Sequence, residues 1–270
     1  MSGYRFRAPR PSLEQAQPAL QAWYESVYGQ HILCQEQALV GDLLRQSYGN
    51  MLLQLSTYGK AELYSESRVS ANYSLSCFRE GSHEGHMAIS EFESLPIATE
   101  SMDVVVLHHA LEFSMHPHQI LREAQRILLP HGRIIVVGIN PLSMLGLESR
   151  LLGIGQSVKA KAGPISVSRL DDWLHLLGFG APKLRYDCYE APTNFKRLLN
   201  SFVFLGQLAA RFQLPGGGVY IVEAVKEVQR MTPIKPSWRR FQRGFDIPVM
   251  GGVATSKAAK QSSRRTNKSC

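Results

Sequence analysis

Apolar positions along this chain fall into two kinds of pattern. Toward the N-terminus they recur at helical spacing. Ser12-Leu13-Glu14-Gln15 has the form of a capping box and predicts a helix with Leu20, Trp23 and Tyr24 on one side. Leu39, Val40, Leu43 and Leu44 predict a second helix from about Cys34 to Gln46, stopped at Tyr48-Gly49-Asn50. The pattern then changes to runs of strand length. Met51–Leu55 is apolar, Arg68–Cys77 alternates with Val69, Ala71, Tyr73 and Leu75 on one face, and His86–Ile89 is a further short strand. Asp103–Leu107 and Arg133–Val137 are continuous β-branched runs, as expected of parallel strands covered on both faces. Between them Ile120, Leu121, Ala124, Ile127 and Leu128 mark one face of a helix that starts at Pro117 and ends at Pro130-His131-Gly132. Strand, helix and strand in this order predict a βαβ unit. Beyond it the pattern predicts helices over Leu142–Leu152, Ser168–Leu177 and Asn194–Phe212, and strands over Lys183–Tyr189 and Val219–Val225. From Met231 onward no period is sustained, apart from a short helix near Ser237–Gln242.

Composition narrows the class. With 44% hydrophobic and 19% charged residues in 270, the chain as a whole has the makings of a folded protein. No apolar run reaches the roughly 18 residues of a membrane span, and the first residues lack the apolar core of a secretory signal. Cys34, Cys77, Cys188 and Cys270 are scattered, without a C-x-x-C pair. This speaks against a disulfide scaffold and a zinc ribbon, and for a reducing, cytoplasmic setting with no membrane contact. The net charge of +8 is concentrated at one end. Lys226–Cys270 holds eleven Lys or Arg against two Asp or Glu, which leaves residues 1–225 at −1. The chain therefore divides into an N-terminal helical extension (1–48), an α/β domain (49–228) and a basic tail (229–270). Trp238, Phe241 and Phe245 are interleaved with the tail's basic residues. Phosphate neutralisation with base stacking would suit nucleic acid, and a solubilising disordered tail explains the same composition.

The segment from Glu91 to Asp103, with its Leu95-Pro96, followed by Val104–Phe113, resembles class I S-adenosylmethionine-dependent methyltransferases, and more narrowly the methyltransferase type 11 group. Glu123, Arg126, Ile127, Leu128, Pro130 and Gly132 follow that group's E-x-x-R-hydrophobic-Leu-x-Pro-Gly-Gly motif, with His131 at its first glycine. Leu177-Gly178-Phe179 is similar to a later helix ending in the group. The resemblance implies a Rossmann-like, doubly wound, mostly parallel seven-stranded sheet. It implies S-adenosyl-L-methionine as cofactor across the carboxyl ends of the strands, and a methyl acceptor that remains unknown. By that resemblance Glu91 would meet the adenine amino group with Phe92 beside the ring, and His108 would line the transfer cavity. Ser56, Tyr58 and Gly59 would form the loop under the methionine part.

The departures are equally concrete. Where the group carries a glycine-rich loop, this sequence reads Gln54-Leu55-Ser56-Thr57-Tyr58-Gly59. Gln54 takes the acidic place, Ser56 the first glycine and Tyr58 the second. A tyrosine there would fill space that glycine leaves for the cofactor. Val69–Phe78 contains no Asp or Glu to hold a ribose, and between the first two strands only Lys60–Arg68 is left for a helix. Two functions follow: a methyltransferase, or a methyltransferase-fold binding or scaffold protein without transfer. No metal site is expected, since His108 and His109 are consecutive at a strand end and should diverge. A catalytic histidine with a near-neutral pKa stays open for this group.

Overall fold

The computed structural model describes residues 20–76, 87–89, 91–143, 163–189 and 216–227. Among the described residues seven strands form one sheet: β1 (Met51–Ser56), β2 (Ala71–Ser76), β3 (Met87–Ile89), β4 (Met102–His108), β5 (Leu128–Ile139), β6 (Lys183–Asp187) and β7 (Val219–Val225). Their order is β3-β2-β1-β4-β5-β7-β6. The first five run parallel to their neighbours, and β7 lies antiparallel between β5 and β6. The chain builds outward from β1 to β3, then returns to place β4 beside β1. That reversal opens a crevice at the carboxyl ends of β1 and β4, where open α/β sheets bind their ligands. Ser56 and His108 are register partners at this point.

Both faces of the sheet are covered, as the continuous apolar strands require. On one face Leu52, Val104, Val106, Ile135 and Val137 pack with Leu20, Tyr24 and the helix α1 (Val27–Leu44). On the other, Leu53, Leu55, Val105, Leu107, Ile134 and Val136 pack with α2 (Pro117–Ile127) and α3 (Val167–Leu176). The N-terminal extension is thus part of the main core.

The predicted strands β1, β2 and β4 and the βαβ unit are present, and Val219–Val225 matches residue for residue. Several boundaries differ. Helix α1 begins at Val27 rather than Cys34, because Ser26 caps it by accepting the Gly29 N–H at 3.1 Å. Helix α2 ends at Ile127, before Pro130, and β5 starts at once at Leu128. The β6 strand stops at Asp187, and α3 starts at Val167. Residues 57–70 form turns without a helix. Lys226, counted above with the tail, belongs to the fold: its Nζ donates to the carbonyls of Leu128 at 2.7 Å and Gln125 at 2.9 Å, satisfying the end of α2. The predicted helices at Ser12, Leu142–Leu152 and Asn194–Phe212 and the whole basic tail lie wholly or mainly outside the described residues.

The E-x-x-R pair of α2 has a visible structural task. Arg126 donates to the carbonyls of Leu95 (3.1 Å) and Ile97 (2.9 Å) and to Thr99 Oγ1 (3.1 Å). Glu123 accepts the Leu95 N–H at 3.1 Å and holds the guanidinium through both of its oxygens. The hydrogen bonds from Arg126 set the Glu123 carboxyl below its usual range. Together they pin the loop that leads from Glu91 into β4.

Candidate functional site at the carboxyl ends of β1 and β4

Each side chain at the switch point is delivered by a different element. β1 ends on Ser56 and β4 on His108, both fully buried. Ser56 Oγ accepts the Tyr58 N–H at 3.1 Å and donates to the Tyr58 carbonyl at 2.8 Å, which folds the chain back on itself. The same oxygen lies 2.8 Å from His108 Nδ1. Tyr58 is 3% exposed, and its ring stacks on Tyr24 with centroids 4.5 Å apart and planes 15° from parallel. Gln54, two residues before Ser56 on the same strand, is buried. It accepts the Leu63 N–H at 3.0 Å and donates to the Ala61 carbonyl, clamping the turns after β1.

The consecutive histidines do not diverge. His109 adopts a left-handed backbone with φ of 51°, and its ring turns back beside that of His108, centroids 4.7 Å apart. Both reach one carboxylate on α1. His108 Nε2 lies 3.0 Å from Glu36 Oε2, and His109 Nε2 lies 2.8 Å from Glu36 Oε1. His109 Nδ1 faces Glu112 Oε1 at 3.4 Å, and that oxygen accepts the Ile139 N–H at 2.5 Å. Glu112 Oε2 is buried without a hydrogen-bond partner among the described residues. Burial alone would raise the Glu36 carboxyl, but the neighbouring His109 charge and bonds from both rings hold it well below the usual range. For His109 the Glu36 and Glu112 carboxylates outweigh burial and push the ring upward. For His108 burial wins and lowers it. Through Glu36 this network ties α1 to the carboxyl end of β4.

Glu36 was missed in the sequence because it is 72 residues from His108. It did leave a signal. Tyr28, Ile32, Glu36, Val40 and Leu44 follow one another every four residues along the buried side of α1, so a carboxylate interrupts an apolar stripe. A buried charge in such a place needs partners.

The structure brings Ser56, Tyr58 and His108 together, with the half-buried Gly59 in the turn beyond them. Glu91 and Phe92 lie elsewhere, after β3. Glu91 is exposed, and Phe92 is buried with Leu53, Leu55 and Leu75 in the core on the α2 face.

The sheet order, with its antiparallel β7, defines a Rossmann-like class I methyltransferase fold. Residues 49–136 match the family described as a methyltransferase domain. The chain is 36% identical over 85 residues to the uncharacterised protein YafS of Escherichia coli, over 32% of its own length. It spans about a third (35%) of that protein. Among solved structures it resembles a SAM-dependent methyltransferase from Thermotoga maritima, with a TM-score of 0.58 at 17% identity, over 78% of this chain and all of that one. The [4+2]-cyclase SpnF superposes with a TM-score of 0.53 at 16% identity, over 82% and 98% of the two chains. The likeness of the cyclase shows that this fold is not tied to one reaction.

Proposed function

We propose that this protein is an S-adenosylmethionine-dependent methyltransferase whose acceptor is open. The observation that carries the reading is the methyltransferase-family match over 49–136, coinciding with the β1/β4 switch point where such a ligand belongs. The residues fit the cofactor at one end only. Glu91 stands exposed at the start of the loop fixed by Arg126, and a carboxylate is the kind of group that accepts from an exocyclic N–H. In the loop where the methionine end would lie, the Tyr58–Tyr24 stack and the buried Ser56–His108 contact stand in place of glycines. The cofactor supplies an activated methyl group. This chain's residues would bind adenine at Glu91 and keep water out through the aromatic cover. Entry of the methionine end requires Tyr58 and Tyr24 to move, so affinity should be weak.

That closed end favours a second reading, a methyltransferase-fold binding module without transfer. No membrane-crossing helix exists among the described residues, which suits the proposed cytoplasmic setting under either reading. The proposed nucleic-acid contact through residues 229–270 is likewise independent of both.

Glu91→Ala separates a ligand role from a structural one. Loss of one hydrogen bond to a charged group should weaken S-adenosylmethionine binding roughly ten- to a hundred-fold while the melting temperature stays put. Unchanged affinity in a stably folded variant would remove Glu91 from the site.

A further inference from the structure

Counting protons in the buried network exposes a mismatch. Ser56 has one hydroxyl proton, and it goes to the Tyr58 carbonyl at 2.8 Å. The 2.8 Å contact with His108 Nδ1 is then made by Nδ1–H donating to Ser56 Oγ. A neutral His108 is left with a lone pair at Nε2, and that lone pair faces Glu36 Oε2 at 3.0 Å. His109 repeats the pattern. Its Nδ1 faces the Glu112 carboxylate, an acceptor, so the ring proton sits there, and Nε2 faces Glu36 Oε1 at 2.8 Å. Two lone pairs and a carboxylate thus converge in a space closed to solvent, and something electropositive has to lie between them. One further proton suits His109, whose ring lies between two carboxylates, but a second on His108 would set another imidazolium beside it in the same buried space. A divalent ion serves with neutral rings, and its charge balances the carboxylates of Glu36 and Glu112.

The surroundings match the second solution. The three ligand atoms lie within 4.8 Å of one another, and all three residues are buried. Each ring hands its other N–H to a fixed acceptor, Ser56 or Glu112, the usual support of a metal-bound histidine. The left-handed backbone of His109 is strain that brings its ring to the same point as its neighbour's. We propose that Glu36, His108 and His109 form a binding site for a divalent transition ion of the zinc class, clasping α1 to the carboxyl end of β4. Two imidazole nitrogens and one carboxylate oxygen are a donor set that suits such an ion. Opening the 2.8 and 3.0 Å separations to about 3.4 Å would seat it at ordinary bond lengths. The inference holds whether or not S-adenosylmethionine binds.

The test uses the full-length protein, stripped with a chelator and titrated with Zn2+ and with Co2+. One equivalent should bind with a dissociation constant below about 1 µM, raising the melting temperature by several degrees through mass action. X-ray absorption of the zinc-loaded wild type should show nitrogen and oxygen neighbours with imidazole scattering and no sulfur. Glu36→Gln and His109→Asn should lose at least tenfold in affinity, while His118→Asn, an exposed histidine on the other face, should titrate as wild type. Less than one equivalent bound at about 100 µM metal, a sulfur neighbour, or wild-type affinity in folded Glu36→Gln would overturn the proposal. Should both site variants unfold, the wild-type absorption spectrum decides alone.

Discussion

His131 occupies the first glycine position of the Pro-Gly-Gly motif, and its φ of 64° shows why that position prefers glycine. A β-carbon in the left-handed region costs about 1–2 kcal/mol, partly offset by the extra freedom glycine has when unfolded. His131 is exposed, with no packing role to lose. His131→Gly should therefore stabilise the protein by about 0.5–1 kcal/mol, read as a higher denaturant midpoint. An unchanged or lower midpoint would mean that the imidazole makes up for the strain. Arg126 lies at the opposite extreme. Its guanidinium holds three loop groups as well as Glu123. Arg126→Ala should cost about 1.5–3 kcal/mol and speed hydrogen exchange over residues 91–101. Native exchange there would show that the loop stands without the clamp. The motif residues were legible in sequence as a resemblance, but their task was not, because a helix-to-loop clamp leaves no periodic trace. The paired histidines were misread for a related reason. Side-chain alternation assumes extended backbone, and His109 leaves it.

At the scale of elements, legibility followed burial. Val104–Leu107 and Ile134–Val137 are buried on both faces, so their strands stood out as unbroken apolar runs. Helix α2 stood out because Ile120, Leu121, Ala124 and Ile127 face the core while its other side is polar. Helix α1 was harder to place, since its N-terminal half meets the aromatic end of a helical segment, residues 20–24, just before it. There Trp23, Tyr24 and Tyr28 form edge contacts at 4.7 and 6.4 Å. Gly29 lets that segment approach. A β-carbon on it would stand 2.1 Å from the Trp23 carbonyl oxygen and 2.8 Å from the Tyr24 Cα. Backbone cannot yield as a flexible side chain can, so Gly29→Ala should cost about 1–3 kcal/mol through overpacking, despite alanine's better helix propensity. The check is thermal unfolding of the full chain. A stabilised variant would show that the helical segment 20–24 does not pack as described.

At the largest scale, a methyltransferase-type sheet is joined to an N-terminal extension that packs on it and reaches the carboxyl end of β4. The sheet was readable from sequence, because strand runs and turns are local signals. The closure was not, because it depends on Tyr24 meeting Tyr58 and Glu36 meeting His108 across long chain separations. The altered glycine loop pointed to Tyr58 as what fills the space, without showing that Tyr24 stacks on it. Calorimetric titration of the full-length protein with S-adenosylmethionine tests this account most directly. In the proposed site the methionine end would lie where Tyr58 and Tyr24 stack, so binding should be weaker than about 100 µM. A dissociation constant of about 5 µM or tighter would contradict it, because the aromatic cover would then offer no obstacle to the cofactor.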